Sequence, residues 1–348
     1  MNKESRFQWA DNLRFIALVS VIILHVSATG LYFFDKIALH QWLIADFTDS
    51  AVRYAAPLFF MISGALLLRN NDKPGHFLKK RFTKILYPFV FWSVIYTLIF
   101  SVYLLYKGEN ISFPVTISNF LFYKGIFAQS AYHLWYVYII LGIYLITPFL
   151  KRIFVNQRQN ILIYFIVIWI IIILLNTQLF EFDKFVSNIF IFSGYVCYYV
   201  SGYYLSNIKR IFNIKARLLM WCALVFLIFF TAIATYLVTF ENGDLDEEFF
   251  KYQSPNIVLM SVLSFILISN LNLHHIIYLK IRDMVNKYSY GIYLLHALVL
   301  LVVEKLGLGW NFIHPLVGIP VGTLLTLSIS FVIIFLLNKI PFLGRFAG

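Results

Sequence analysis

Apolar stretches of about 20 residues recur along the whole chain, and this recurrence constrains the fold more than any other feature. A helix of about 20 apolar residues is long enough to cross the hydrocarbon core of a bilayer. By this criterion the sequence predicts ten membrane-spanning helices. They lie near residues 13–33, 52–68, 85–106, 132–150, 160–179, 189–206, 218–240, 255–272, 288–306 and 315–338. With 61% hydrophobic and 13% charged residues, the composition argues against a soluble domain and excludes a disordered chain. The predicted fold class is therefore an all-α polytopic membrane protein.

The Lys and Arg residues predict the orientation of these helices. An even number of spans puts both termini on one side, and basic residues concentrate in the loops that face the cytoplasm. Most of the 28 basic residues fall on the side of the N-terminus, so both termini are expected to be cytoplasmic. This topology explains the net charge of +12 better than nucleic-acid binding does. The longest outer loops would be 34–51 and 107–131, and residues 1–348 would form a single integral-membrane domain.

The N-terminus admits a second interpretation as a secretory signal peptide, because a small-residue pattern at Val26-Ser27-Ala28 follows a basic and then an apolar segment. Cleavage there would remove Arg14 and His25. The pattern is weak, so the segment is interpreted as the first span.

No metal site or disulfide framework is predicted. Cys197 and Cys222 both lie in apolar stretches, and neither has another candidate ligand at metal-binding spacing.

Arg14 and His25 are the most informative polar residues of the first predicted span. Eleven residues separate them, which places both on one helix face about 16 Å apart. Apolar surroundings favour the neutral imidazole, the form that accepts a proton or attacks a carbonyl. The pair thus predicts an anion anchor at the inner boundary and a reactive nitrogen deep in the bilayer. A topology-determining Arg14 and a His25 that merely bonds a neighbouring helix explain the same positions equally well.

Two other predicted spans carry polar groups. In the ninth span, Ser289, Tyr293 and His296 share one helix face. This pattern fits a cavity lining, but alone it favours an interhelical hydrogen-bonding seam. At the outer start of the fourth span, His133 and Trp135 stand in an aromatic cluster, which is typical either of an interface anchor or of a surface that meets a polar substrate.

The loop after the second predicted span is strongly basic. It contains Lys73, Lys79, Lys80, Arg81 and Lys84. Positive-inside bias and attraction to anionic lipid explain any single one of them. The density of the whole cluster instead indicates a phosphorylated ligand.

Small residues mark the end of the second predicted span. Ser63 and Gly64 follow Pro57, and small and kinking residues of this kind permit either close approach of two helix backbones or an unwound cavity wall. Packing alone would explain them.

Five motifs together resemble the acyltransferase-3 family of bacterial membrane-bound acyltransferases. In chain order they are Asp11-Asn12-Leu13-Arg14 with His25, Pro57-Leu58-Phe59-Phe60-Met61-Ile62-Ser63-Gly64, Arg81-Phe82-Thr83-Lys84, Tyr132-His133-Leu134-Trp135, and Tyr288-Ser289-Tyr290-Gly291-Ile292-Tyr293 with His296. The likeness looks closest to the surface-polysaccharide O-acetyltransferases, the branch that includes the enzyme acting on enterobacterial common antigen. Lys84 is a departure, since the family often has Arg there, and Lys does not replace Arg in a bidentate phosphate contact.

The resemblance implies O-acetyl transfer in a bacterial cytoplasmic (inner) membrane. Cytoplasmic acetyl-CoA would be the donor, without a permanently bound cofactor, and a sugar hydroxyl of a surface or lipid-linked polysaccharide would be the acceptor. It implies that Arg14, Arg81 and Lys84 hold the CoA phosphates, and that His25 is the general base or nucleophile. The residues expected on the substrate side are His133, Trp135, Tyr293 and His296.

A membrane carrier, either a sugar-lipid flippase or a proton-coupled exporter, is the alternative function. Carriers often contain paired repeats or an acid at mid-membrane. No repeat is visible here, and the only acid within a predicted span, Glu304, lies at an outer end. A scaffold for glycan assembly is a third option, for which His25 would be dispensable.

Overall fold

The computed structural model describes residues 8–108, 118, 131–155, 159–175, 184–207 and 212–348, and within these ranges it contains helices and no β-strand. The helices are α1 (Gln8–Leu31), α2 (Leu39–Val52), α3 (Ala55–Leu67), α4 (Pro74–Tyr106), α5 (Trp135–Phe154), α6 (Gln159–Leu175), α7 (Lys184–Asn207), α8 (Ile214–Asn242), α9 (Pro255–Ser269), α10 (Ile276–Lys287), α11 (Ser289–Lys305), α12 (Pro315–Lys339) and α13 (Gly344–Ala347). Short 3₁₀ turns at Tyr132–Leu134 and Glu248–Phe250 precede α5 and α9.

Seven helical segments among the described residues are long and apolar enough to cross a membrane. An eighth results if α10 and α11, which meet at 80°, form one broken span. The prediction of an all-helical protein with many membrane-spanning segments is confirmed. Each of the ten predicted stretches contains a helix, but α6 and α7 are not among these segments. The count of ten and the cytoplasmic location of both termini therefore stay predictions.

The expected outer loop at 34–51 is wrong, because α2 occupies most of it. Helices α2 and α3 together form a span from Leu39 to Leu67. The expectation that Glu304 is the only acid within a span is wrong for the same reason, since Asp46 and Asp49 are buried in α2. These carboxyl groups lower the local hydropathy, so a criterion based on apolar stretches does not detect the helix.

Most of the other expected outer loop, 107–131, lies outside the described residues.

One of the acids of α2, Asp49, belongs to a buried polar network. Asp49 forms an ion pair with Arg53 and accepts a 3.4 Å hydrogen bond from the hydroxyl of Ser27 on α1. The guanidinium of Arg53 lies 4.0 Å from the ring centroid of Phe250, in the turn before α9. A buried carboxylate is tolerated where a cation and hydrogen bonds compensate it. The network thus fixes α2 against both α1 and this turn.

Helix α1 lies at the centre of the bundle, in contact with α2, α3, α9, α10, α11 and α12. Its N-terminal end is fixed by α10. Arg282 and Tyr278 both donate to the side-chain oxygen of Asn12, over 2.7 and 3.2 Å. Asn286 donates to the backbone oxygen of Asp11 over 2.8 Å. These contacts fix the rotation of α1 about its axis. They therefore also fix the direction in which the helix face that carries Arg14 points.

Two glycines allow α3 and α7 to cross at close range. A Cβ atom on Gly64 would overlap the backbone oxygen of Tyr199, and one on Gly202 would overlap the backbone oxygen of Met61. The sequence-based expectation of close backbone approach at Gly64 is confirmed. No local sequence pattern identifies Gly202 as its partner.

We expect Gly64→Ala to destabilise the protein by at least the roughly 1–3 kcal/mol typical of overpacking, because the atom it meets is backbone and cannot rotate away. Thermal unfolding of the purified protein in detergent measures the effect. Gly75→Ala is the matched control, since a Cβ at Gly75 meets nothing within 4 Å. Equal stability of the two variants would contradict the close crossing.

Candidate active site

A cavity of about 790 Å³ opens at the end of the bundle where α1 begins. Basic side chains from four parts of the chain line it: Arg14, Arg81, Lys84, Lys287 and Arg345. None of the lining residues that the structure describes is acidic. Asp11 offsets part of the charge through a partly exposed ion pair with Arg14 at 3.3 Å. The wall is therefore positively charged overall, as expected of a site that binds a polyanion.

The deeper wall of this cavity is aromatic and aliphatic. It includes Phe59, Tyr136, Ile140, Tyr144 and Tyr293. A cavity with charged groups at one end and rings farther in suits a ligand that has an anionic head and a less polar arm.

Beyond Tyr293, three histidines from distant parts of the chain come together. The ring centroid of His296 lies 5.2 Å from that of His25 and 4.9 Å from that of His133. The ring of Tyr293 lies 5.6 Å from His133 and 5.7 Å from His296. One tyrosine therefore belongs both to the cavity wall and to the histidine cluster.

The three histidines differ in accessibility. His133 is 2% exposed and His296 is 0% exposed, whereas His25 is only partly buried. The ring of Tyr132, itself 42% exposed, lies 4.9 Å from the ring of His25. His25 and Tyr132 are thus the members of the group that a ligand reaches first from outside the cluster.

Backbone carbonyl groups of α11 orient the two buried imidazoles. Nε2 of His133 donates to the oxygen of Leu294 over 3.2 Å, and Nδ1 of His296 donates to the oxygen of Tyr293. Tyr96 donates to the same Leu294 oxygen over 3.0 Å. A backbone oxygen can only accept a hydrogen bond, so the ring nitrogen bonded to it must carry the proton. The other nitrogen of each neutral imidazole is therefore unprotonated and can accept a hydrogen bond.

These second nitrogens, Nδ1 of His133 and Nε2 of His296, are buried and have no hydrogen-bond partner among the described residues. A buried acceptor without a donor costs about 1–3 kcal/mol. A ligand hydroxyl in the cluster would supply the missing donor. The pair is therefore arranged to receive hydrogen bonds.

The structure brings most of the expected site residues together. Arg14, Arg81 and Lys84 line the cavity, while His25, His133, His296 and Tyr293 form the cluster.

Trp135 is placed differently. Its ring packs 5.3 Å from Tyr195 and 5.4 Å from Tyr252. This position is that of a packing residue beside the cluster rather than a member of it.

Sequence reasoning missed four residues of this region, namely Lys287, Arg345, Tyr96 and Tyr132. In the sequence, Lys287 and Arg345 contribute only to the number of basic residues that predicts which side is cytoplasmic. Tyr96 sits in an apolar helix with no polar periodicity around it. Tyr132 was visible in the aromatic motif at the start of the fourth span, and its separation from His25 in sequence concealed their contact.

Comparison with known proteins agrees with this geometry. The acyltransferase-3 family model, described as an acyltransferase domain, matches residues 7–335. Neither the search of curated proteins nor the search of solved structures gives a match. Since the family match covers nearly the whole chain and includes the histidine cluster and most residues of the basic cavity, the protein belongs to the acyltransferase-3 family and is a multi-pass membrane acyltransferase.

Proposed function

We propose that the protein transfers an acetyl group from cytoplasmic acetyl-CoA to a sugar hydroxyl of a surface or lipid-linked polysaccharide. It would do so in a bacterial cytoplasmic (inner) membrane. The observation that carries the proposal is that Tyr293 joins the basic cavity to the histidine cluster. A phosphate-bearing carrier held in the cavity would thus point its reactive end at an imidazole.

Arg14, Arg81 and Lys84 hold the phosphates of CoA at the cavity mouth in this proposal. Guanidinium groups suit phosphate because they bind it with two parallel hydrogen bonds. Lys84 offers a point charge instead. The pantetheine arm lies along the deeper aromatic wall, over the length of about 16 Å that eleven helical residues span between Arg14 and His25.

His25 carries the acyl transfer in one of two ways. As a general base, it takes the proton of the sugar hydroxyl while that oxygen bonds to the thioester carbon; the carbon–sulfur bond breaks and the thiolate recovers the proton as CoA thiol. As a nucleophile, its ring nitrogen displaces the thiolate to form an acetyl-imidazole, which the sugar hydroxyl then attacks. Both routes yield the same ester and free CoA.

The acceptor nitrogens of His133 and His296 suit the sugar rather than the oxyanion of the reaction. A neutral His296 in the arrangement seen here has no N–H left for an oxyanion, because Nδ1 donates to the Tyr293 oxygen. The hydroxyl of Tyr293 donates to the backbone oxygen of His133 and would have to exchange that partner to stabilise an oxyanion. Tyr132, which is exposed beside His25, offers an aromatic face to the sugar.

The carrier alternative gains one observation from the structure, the buried acids of α2. Asp49 is engaged by Arg53 and Ser27, which is the pattern of a structural ion pair. Membership of an acyltransferase family favours the enzyme.

Transfer of labelled acetyl groups from acetyl-CoA, measured in membranes that contain the protein, tests the function. Mass analysis of surface glycans from wild-type and deletion strains identifies the acyl group and the acceptor together. Absence of label in the glycan, with unmodified glycolipid retained on one leaflet in the deletion strain, would support the carrier instead.

We expect His25→Ala to reduce acetyl transfer by about 10³-fold or more, since both chemical routes use its ring nitrogen. The amount of folded protein in the membrane, followed by size-exclusion chromatography, should be unchanged. His40→Ala is the control, because His40 is exposed and stacks on His314, away from the cluster. Full activity of His25→Ala would refute the assignment.

We expect Arg81→Ala to raise KM for acetyl-CoA about 10-fold or more, because it removes a charge-assisted hydrogen bond to phosphate. KM for the glycan acceptor should change little. Lys79→Ala, which removes an exposed charge two residues earlier on α4 and outside the cavity wall, is the matched control. A larger effect on acceptor KM than on donor KM would move Arg81 out of the donor site.

We expect His296→Ala to lower kcat/KM for the acceptor by about 10-fold or more while KM for acetyl-CoA stays within about twofold, since it removes an acceptor of a buried hydrogen bond. Steady-state kinetics with each substrate varied in turn measure both constants. The reverse pattern would place His296 on the donor side.

A further inference from the structure

The C-terminal segment folds back into the bundle instead of leaving it. The indole N–H of Trp92 on α4 donates to the backbone oxygen of Ala347 over 3.2 Å, and Ala347 is 1% exposed. The segment also packs on α4 and α12. The segment that follows α12, as far as Ala347, is thus held in a defined place.

Gly291 leaves the space against which this segment packs. A Cβ atom at Gly291 would lie 2.5 Å from the oxygen of Ala347 and 2.8 Å from a side-chain carbon of Ile334. A Cβ at Gly348 would in turn lie 2.8 Å from the backbone of Gly291. The glycine in the Tyr-Ser-Tyr-Gly motif of α11 therefore makes room for the docked chain.

Docking places Arg345 in the wall of the basic cavity. Gly344, Arg345 and Gly348 line it, together with Arg14 and Arg81. Arg345 is exposed and has no ion-pair partner among the described residues. Its backbone is fixed through Ala347, while its guanidinium remains available to a ligand.

Lys287 lies in the same wall, at the 80° bend between α10 and α11. Its ammonium is 5.1 Å from the ring centroid of Tyr288. Together, Lys287 and Arg345 add positive charges from α10 and from the segment after α12 to those that α1 and α4 bring to the cavity wall. A ligand that bears more than one phosphate matches such a distribution better than a single anion does.

We propose that the docked C-terminal segment is part of the donor site, in which Arg345, with Lys287, binds a phosphate group of CoA. This inference rests on the proposed use of acetyl-CoA. Arg345 acts as a binding residue, and Trp92 and Gly291 position it. An anionic lipid headgroup offers the same phosphate chemistry, and the experiment separates the two sources.

The test measures equilibrium binding of CoA and of dephospho-CoA, which lacks the 3′-phosphate, to purified full-length protein in a neutral detergent free of anionic lipid. We expect Arg345→Ala to weaken CoA binding about 10-fold or more. Arg345→Lys should restore part of the affinity. Lys339→Ala is the matched control, since Lys339 stacks on Phe335 outside the cavity wall.

A second variant tests the docking itself. Gly291→Ala keeps every basic side chain but adds a methyl group where the backbone of Ala347 packs. We therefore expect it to weaken CoA binding to a similar extent as Arg345→Ala. Should Gly291→Ala fail to fold, the exposed Arg345 variants still decide the proposal. If Arg345→Ala loses CoA and dephospho-CoA affinity by the same factor, the diphosphate is the group that it binds; a smaller loss for dephospho-CoA assigns the 3′-phosphate.

Three results would overturn the proposal. One is unchanged CoA affinity in Arg345→Ala. Another is an equal loss in Lys339→Ala, which would mean a general effect of charge. The third is an effect of Arg345→Ala that appears only after phosphatidylglycerol is added, which would assign the residue to lipid. If the wild-type protein itself does not bind CoA, the proposed function fails first, and the variants are not needed to show it.

Discussion

Helix α1 is the element on which the rest of the structure depends, because it carries Arg14 and His25 on one face and is surrounded by six other helices. In a bilayer, polar side chains are stable only where helices pack on one another or line a cavity. The hydrogen bonds from Arg282 and Asn286 fix the rotation of α1 at its beginning, and the bond from Ser27 to Asp49 fixes it near its end. This one helix therefore determines where the cavity and the histidine cluster lie relative to each other.

The chemistry of the cluster follows from how its rings are held. His133 and His296 each give one N–H to a backbone oxygen of α11, so a single helix orients both rings. His25 has neither such restraint nor their degree of burial. This arrangement divides the proposed roles, with a reactive imidazole on α1 and two fixed acceptors that position the substrate.

Much of this protein was predictable from its sequence where the signal is local. Hydropathy indicates the long apolar helices, and helical geometry alone places Arg14 and His25 on one face. The density of basic residues around Arg81 also predicts a site for an anionic ligand, and Arg81 and Lys84 do line the basic cavity. Helix α2 was missed because Asp46 and Asp49 make it too polar for a hydropathy criterion, although burial beside Arg53 stabilises it. The convergence of His25 with His296 and the docking of Arg345 depend on contacts between segments far apart in the chain, for which no local pattern exists.

Tyr293 has a consequence for the permeability of the membrane. Its ring lines the basic cavity and lies 5.7 Å from the ring of His296, so it stands at the boundary between the cavity and the histidine cluster. An aromatic ring at this boundary obstructs a continuous column of water and so limits leakage of ions through the bundle. In the proposed reaction, the small end of a linear thioester passes this ring while the nucleotide stays in the cavity. The acetyl group would then cross the lipid barrier without transport of the nucleotide that carries it.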